Sequence, residues 1–268
     1  MKYDYIYLSP HYDDAAFSCG GLIHSQCRTG GSVLVITIFG SAAKAGEPLS
    51  DAGKWFHNLM GNPSDETAMR QEEDKAAMVI LGAELCWLTF HSSIYRGQPS
   101  QGVWFYPCRE EMFGKLDSRE DGLELTIAEA LYGCIADADK SQSVIYAPLA
   151  VGNHVDHQLT HQAGWILHEQ GFKVAFYEDL PYSMKDDKPN SLETATAAMA
   201  DRGAYAELVS LNERDLQGHI DSACAYPSQF AEHKDKPYKV HQKMIGDMAR
   251  PFFKRLDHTY KQRLWRLN

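Results

Sequence analysis

The chain has 268 residues, of which 44% are hydrophobic, and this is enough for a buried core in one large or two small domains. Its 26 Lys and Arg against 36 Asp and Glu give a net charge of −10, so we expect neither a nucleic acid nor an anionic membrane surface as a partner. A neutral or cationic small molecule suits this charge better.

The cysteine pattern and the N-terminal residues bear on the cellular location of the protein. Six Cys residues are scattered without a Cys-x-x-Cys pair, which is typical of reduced thiols rather than of a disulfide framework. The residues after Met1 contain no long apolar stretch, so the sequence predicts neither a signal peptide nor a membrane anchor. We therefore expect a cytoplasmic location.

The first apolar run, residues 3–8, predicts a short strand that Pro10 terminates. The loop that follows carries His11, Asp13 and Asp14. An imidazole and a carboxylate are good ligands for a divalent metal, and a spare carboxylate between them can act as a base toward water. The alternative is a polar turn in which Asp14 only caps the next helix. This stretch alone leaves both interpretations open.

The next elements predict an α/β unit. Residues 15–28 have apolar positions at helical spacing, and residues 32–39 form a nearly continuous apolar run, which is typical of a strand buried on both faces of a parallel sheet. Gly20 and Gly21 inside the helix predict a close approach of the helix to the sheet. A phosphate-binding loop is less favoured because its glycines would precede the helix. Strand, helix and strand together form a right-handed unit.

Two long irregular stretches follow, residues 40–64 and 91–121, and both are rich in aromatic side chains. Such loops suit contact with a sugar or another small molecule, although a core beneath a long loop has the same composition. Between them the pattern predicts a helix over residues 65–81, which carries Arg70, and a strand over residues 85–90.

The second half continues the alternation of helices and strands. The pattern predicts helices over residues 123–138, from 156 onward, over 193–199 and over 215–231, and strands over 143–149, 173–180 and 205–211. The basic tail, residues 233–268, contains apolar side chains that need burial. We expect it to be a helix packed on the domain or on a second subunit of a homo-oligomer.

The strand over residues 143–149 ends in a second cluster of metal-type donors, His154, Asp156 and His157. One histidine alone would more often be structural, but these two flank an aspartate at the same topological position as the first cluster. Ligands of open α/β sheets bind at the carboxyl ends of the strands, so we expect the two strands to lie side by side. Two histidines and one carboxylate, with a coordination position left open, compose a catalytic rather than a structural zinc site.

The segments SPHYDD (9–14) and GNHVDH (152–157) resemble the signature of the PIG-L, or LmbE-like, family of zinc-dependent N-deacetylases. The resemblance covers residues 1–235 and implies a Rossmann-like, mainly parallel sheet with helices on both faces. It also implies hydrolysis of an acetamido group, commonly on a glucosamine conjugate. We expect residues 236–268 to form a C-terminal helical extension packed on this domain.

The resemblance also implies site roles. The zinc ligands would be His11, Asp14 and His157. Asp13 would be the general base, His154 would stabilise charge on the reacting amide, as a cation if protonated, and Asp156 would orient a histidine. Iron(II) accepts the same ligands as zinc. Gly152 stands where the mycothiol-pathway deacetylases carry Tyr, which leaves the identity of the oxyanion donor open.

A third group of polar side chains ends the strand over residues 173–180, namely Tyr177, Glu178 and Asp179. They are either a solvated acidic loop or substrate-binding groups, and the resemblance favours the second. In that case Glu178 or Asp179 would bond Arg70, itself a predicted substrate-binding residue, or a sugar hydroxyl.

Three functions remain to be compared. The first is a zinc-dependent deacetylase of N-acetylglucosamine-type sugars or glycoconjugates that uses metal-activated water. The second is an amidase for a larger amide, such as a thiol conjugate or an acylated natural product. The third is a metal-dependent binding module without catalysis, and intact Asp13 and His154 argue against it.

Overall fold

The computed structural model describes residues 3–43, 46–184, 190–230, 237–254 and 259–267, and the statements below concern these residues. The strands are β1 (Tyr5–Ser9), β2 (Val33–Thr37), β3 (Glu84–Trp87), β4 (Gly97–Gln98), β5 (Val103–Trp104), β6 (Val144–Pro148), β7 (Lys173–Tyr177), β8 (Tyr205–Ser210) and β9 (Lys261–Arg266). The helices are α1 (Asp14–Arg28), α2 (Asp51–Leu59), α3 (Glu66–Leu81), α4 (Arg109–Met112), α5 (Leu123–Cys134), α6 (Val155–Glu169), α7 (Leu192–Asp201), α8 (Glu213–Ala223) and α9 (Tyr238–Lys254). In the part of the chain so described, no helix is long and apolar enough to cross a membrane.

Seven strands form one sheet in the order β3-β2-β1-β6-β7-β9-β8. The first five of these run parallel to one another, whereas β9 is antiparallel to both β7 and β8. One face of the sheet packs against α1, α3, α8 and α9, and the other packs against α5, α6 and α7. The predicted Rossmann-like, mainly parallel α/β fold is confirmed.

The chain leaves the middle of the sheet in opposite directions from β1 and β6. After β1 it continues to β2 and β3 on one side, and after β6 it continues to β7 on the other. β1 and β6 are neighbours, with Tyr5 opposite Val144 and Tyr7 opposite Tyr146. The loops that follow β1 and β6 therefore meet at the carboxyl edge of the sheet, where open α/β sheets bind ligands.

The two irregular stretches differ from each other. Residues 40–64, predicted as a loop, contain helix α2, because the Ser50 hydroxyl accepts a hydrogen bond from Gly53 N at 3.0 Å and caps its N-terminus. Residues 91–121 are irregular as predicted, with the short hairpin of β4 and β5 and the single turn of α4. Residues 44 and 45 lie outside the described residues.

The glycine pair in α1 faces another helix and not the sheet, so the predicted partner is wrong. A Cβ added at Gly20 would lie 2.8 Å from the Ser222 hydroxyl oxygen, and one at Gly21 would lie 3.1 Å from Leu211 Cδ1. Both contacts belong to α8 or the residues just before it. The absent side chains therefore allow α8 to pack closely on α1.

The C-terminal segment contributes both a helix and a strand. Helix α9 packs Ile245 and Phe253 into the core on the α1 and α8 face, as predicted for the tail. Residues 261–266 instead form β9, so the prediction of a wholly helical extension is wrong there. Leu264 and Trp265 are buried on opposite faces of the sheet, which is the alternation of a strand. The predicted boundary after residue 235 falls in residues 231–236, outside the described residues.

Candidate metal centre

The loop after β1 presents its carboxylates to the site instead of using them as helix caps. Helix α1 begins at Asp14, and Asp13, its N-cap residue, makes no side-chain capping bond. The backbone N–H of Ala15 donates to the Ser9 hydroxyl at 2.9 Å, while the Asp14 carboxylate accepts from the His11 backbone N–H at 2.8 Å. The alternative interpretation, in which Asp14 only caps the helix, is not what the structure shows.

Three side chains from the two clusters converge on one point. Asp14 Oδ2 lies 3.0 Å from His11 Nδ1 and 3.2 Å from His157 Nε2, and the three donor atoms lie within 4.8 Å of one another. His157 Nε2 is buried and makes no hydrogen bond in the described structure. Two imidazole nitrogens and a carboxylate oxygen fit a divalent metal ion, and the uncompensated nitrogen supports that fit.

The second nitrogen of each histidine bonds a buried carboxylate. His11 Nε2 lies 2.9 Å from Asp156 Oδ2, and His157 Nδ1 lies 2.7 Å from Asp179 Oδ1. In the neutral form of each ring these carboxylates accept its N–H, which leaves the lone pairs of His11 Nδ1 and His157 Nε2 for a metal.

The neighbouring carboxylates raise the proton affinity of the two triad histidines. Burial lowers the pKa of His11, but its bonds to Asp14 and Asp156 outweigh burial and raise the pKa to about 9. A metal ion bound here would have to displace that proton, so its affinity would decrease as the pH falls.

Asp156 orients His11 and does not face the pocket. It is fully buried. Oδ2 accepts from the Ser92 hydroxyl at 3.1 Å and from the Ser93 backbone N–H at 3.0 Å, and the Arg96 guanidinium donates to Oδ1. The prediction that Asp156 orients a histidine agrees with these bonds, whereas a catalytic contact of its own does not. The neighbouring cation also opposes metal binding at this carboxylate.

The structure buries the side chains after β7 that were predicted as substrate contacts. Tyr177, Glu178 and Asp179 are all buried, and none of them lines the pocket described below. The Tyr177 hydroxyl donates to the Leu8 carbonyl oxygen at 2.8 Å, and Glu178 pairs with Arg263 of β9. Through these bonds Tyr177 connects β7 to β1, two strands away in the sheet, and Glu178 connects the end of β7 to the neighbouring β9.

Asp13 lines the same pocket as the triad but is not a member of it. Its Oδ1 accepts a bond from Arg70 Nη2 at 2.7 Å, and Arg70 also pairs with Glu66. Burial raises the pKa of Asp13, and the Arg70 guanidinium opposes that rise. Arg70 therefore lies at the pocket as predicted, but it is bonded to Asp13 and not to Glu178 or Asp179.

The surroundings of His154 favour its neutral form over the cation considered from the sequence. It is the N-cap residue of α6, and its Nδ1 accepts the Asp156 backbone N–H at 3.2 Å. Burial is the main cause that lowers its pKa, to about 3. The proton of the neutral ring consequently lies on Nε2, which can donate a hydrogen bond into the pocket.

A pocket of about 180 Å³ opens in front of the triad. Its polar lining includes His11, Asp13, Asp14, Arg70 and His154. The irregular stretches supply an apolar wall, which comprises Trp55, Phe56, Ile94, Met112 and Phe113. Tyr182, from the turn after β7, closes another side. The expectation that residues 40–64 and 91–121 contact a small molecule is consistent with this lining.

Comparison with known families identifies the segment that carries both clusters. A model of the PIG-L family, GlcNAc-PI de-N-acetylase, matches residues 6–167, a span that includes all three residues of the triad. The chain belongs to this family. The predicted family is thereby confirmed, and with it the class of enzyme, an N-deacetylase.

Two related proteins and one solved structure extend this comparison of the PIG-L-family chain. A 2'-N-acetylparomamine deacetylase of Niallia circulans is 29% identical over 192 residues, which covers 68% of this chain and 68% of that protein. A protein of the same description from Streptomyces fradiae is 32% identical over 182 residues, covering 67% and 58%. The crystal structure of a deacetylase from the biosynthesis pathway of teicoplanin superposes with a TM-score of 0.79 at 24% identity, covering 98% of this chain and 96% of that one. This last likeness supports the fold.

Sequence reasoning missed two parts of this PIG-L-family site. Asp179, predicted as a substrate contact, bonds His157, and Tyr182, which lines the pocket, is not among the site residues predicted from the sequence. Tyr182 follows Pro181, just beyond the predicted strand over residues 173–180, whose end carries the third group of polar side chains. That position was the signal available in the sequence, and it was weak because a turn residue has no periodic pattern.

Proposed function

We propose that this protein is a zinc-dependent deacetylase that removes the acetyl group from an N-acetylglucosamine-type sugar in a small glycoconjugate. The observation that carries the proposal is the convergence of His11 Nδ1, Asp14 Oδ2 and His157 Nε2 within 4.8 Å, beside the free carboxylate of Asp13. Structural zinc sites have four protein ligands, so three ligands facing a pocket suit catalysis.

Two imidazole nitrogens and one carboxylate oxygen are the reason for proposing zinc. Imidazole and carboxylate ligands suit zinc, and iron(II) accepts them as well. When bound, the ion acidifies water and polarises the acyl oxygen of the substrate. His11, Asp14 and His157 would hold it, with Asp156 and Asp179 fixing the two imidazole rings.

Asp13 is the proposed general base. Because Arg70 occupies Oδ1, Oδ2 is left to take a proton from the attacking water. The same oxygen can then return that proton to the departing amine, so the sugar leaves with a free amino group. Arg70 positions the carboxylate and keeps it from protonating too readily at neutral pH.

His154 is the proposed donor to the oxyanion that forms when water adds to the amide carbon. Its Nε2–H is fixed by the backbone bond to Nδ1 and needs no added proton. One such donor is worth about 3 kcal/mol in other enzymes.

The small pocket favours an acetyl group over a longer acyl chain. Ligand pockets for drug-sized molecules have volumes of roughly 300–1,000 Å³, whereas this one has about 180 Å³. The similarity to two 2'-N-acetylparomamine deacetylases supports an amino sugar linked to an aminocyclitol as the substrate class. The net charge of −10 is compatible with such a cationic product.

Acetate release from N-acetylated amino sugars, compared with acid release from longer N-acyl analogues, tests the proposal. We expect the wild-type protein to release acetate and to discriminate against the longer chains, and Asp13→Ala to bind zinc normally without turnover. Preferential release of the longer acids would favour the larger-amide alternative. Full zinc occupancy without hydrolysis of any amide in the panel would favour a binding module.

A further inference from the structure

Tyr182 faces the pocket, and the steps proposed above do not use it. It lines the pocket together with Asp13, Asp14 and His154. Its ring packs edge-on against His157 and Phe113, at centroid distances of 5.6 Å and 5.9 Å. These contacts fix the ring. A fixed phenol in a reactive pocket is suited to bind substrate.

Gly152 makes the position of Tyr182 possible. A Cβ added at Gly152 would lie 3.0 Å from Cβ, Cγ and Cδ1 of Tyr182, and the backbone φ of +84° is one that glycine adopts readily. The Tyr182 ring consequently lies directly against the turn that leads to His154. The two side chains are therefore placed relative to each other by backbone contact and not by a flexible loop tip.

Tyr182 and His154 both pack against His157, one of the proposed metal ligands. The centroid of the His157 ring is 5.4 Å from that of His154 and 5.6 Å from that of Tyr182. Phe113 contacts both His154 and Tyr182, and the carboxylates of Asp14 and Asp13 are close enough to act electrostatically on the Tyr182 hydroxyl. Two neutral hydrogen-bond donors that line one pocket can together stabilise an oxyanion there.

We propose that the Tyr182 hydroxyl donates a hydrogen bond to the oxyanion of the tetrahedral intermediate, as a second donor beside His154. The inference rests on the deacetylase function proposed above. Addition of water to the amide carbon moves the carbonyl electron pair onto oxygen, and collapse of the intermediate returns the pair as the C–N bond breaks. Tyr182 keeps its proton throughout, so it stabilises charge and transfers nothing.

Tyr182→Phe tests this role because it removes the hydroxyl and keeps the ring contacts. With an N-acetylglucosaminide that the wild-type protein hydrolyses, we expect kcat to fall about a hundredfold with an unchanged KM, because the bond forms only in the transition state. A raised KM with unchanged kcat would mean that the hydroxyl binds the sugar, and it would overturn the proposal. Unchanged kinetics would overturn it too.

Binding of a methylphosphonamidate of glucosamine gives a second measurement that needs no turnover. Its tetrahedral phosphoryl group imitates the oxyanion, so Tyr182→Phe should weaken its binding by a factor similar to the loss in kcat. The metal content and the circular dichroism spectrum of Tyr182→Phe should match those of the wild-type protein. Tyr132→Phe, which removes a phenol hydroxyl from an exposed tyrosine outside the pocket, is the matched control and should change neither quantity.

The two proposals can fail separately. If the wild-type protein hydrolyses no N-acetylated amino sugar, the deacetylase function fails. If it does hydrolyse one, and Tyr182→Phe equals the wild-type protein in kcat and in phosphonamidate affinity, only the role of Tyr182 fails.

Discussion

Replacing Arg70 by Met tests the assignment of Asp13 as the base through the pH dependence of the reaction. Arg70 Nη2 lies 2.7 Å from Asp13 Oδ1, and the two side chains are only 7% and 18% exposed. Burial raises the pKa of Asp13, and the guanidinium lowers it. In Arg70→Met the burial and the nearby Asp14 charge remain without the opposing cation, so the pKa of Asp13 should rise.

The sign and size of the effect follow from this geometry. An opposite charge at such a distance lowers the pKa of a carboxylate by about 1–3 units. The base must be deprotonated, so kcat/KM decreases as the pH falls through the pKa of Asp13. Removing the cation should therefore move the acidic limb of the profile to higher pH, by about 1–2 units.

The assay is kcat/KM for acetate release, measured from about pH 5 to about pH 9. Arg70→Lys is the matched control, because it keeps the charge and should shift the limb less. Zinc content should be determined for each variant at each pH, so that loss of metal is not mistaken for protonation of the base. An acidic limb at the same pH in Arg70→Met and the wild-type protein would refute the assignment of Asp13.

Four other substitutions address the metal and the fold. Asp179→Asn removes the charged acceptor that lies 2.7 Å from His157 Nδ1 and should weaken zinc binding about 10- to 100-fold in a chelator competition; an equal affinity would contradict the orienting role. His157→Ala should lose most of the metal, whereas His154→Ala should keep the metal and lose turnover, and metal analysis beside the acetate assay distinguishes the two. Gly164→Ala would place a Cβ 2.7 Å from Ala147 Cβ, between α6 and β6. It should destabilise the protein by about 1–3 kcal/mol in thermal denaturation, and an unchanged Tm would show that α6 shifts without cost.

The hydrophobic pattern predicted the parallel half of the sheet better than its antiparallel end. Strand β2 is buried along its whole length, so its apolar run is visible in the sequence without any partner. Strand β9 lies between β7 and β8, which are distant from it in the chain. Nothing local to residues 261–266 indicates that pairing, because strand formation depends on neighbours across the sheet more than on intrinsic preference.

The convergence of the proposed metal ligands could be predicted because their residue types are concentrated in two short segments at strand ends. The groups that support them could not. Whether Asp179 faces His157 or solvent depends on how the chain turns after β7, and the same turn places Tyr182 against Gly152. The protonation of His154 likewise depends on its burial and on a backbone bond at the start of α6, which residue spacing does not reveal.

Anomalous diffraction from crystals of the zinc-loaded protein locates the ion directly. We expect a single zinc peak at about 2.0–2.2 Å from His11 Nδ1, Asp14 Oδ2 and His157 Nε2, with an open side toward Asp13. A peak between His154 and Asp156, or no ordered peak in protein that carries one zinc per chain, would contradict the proposed metal centre.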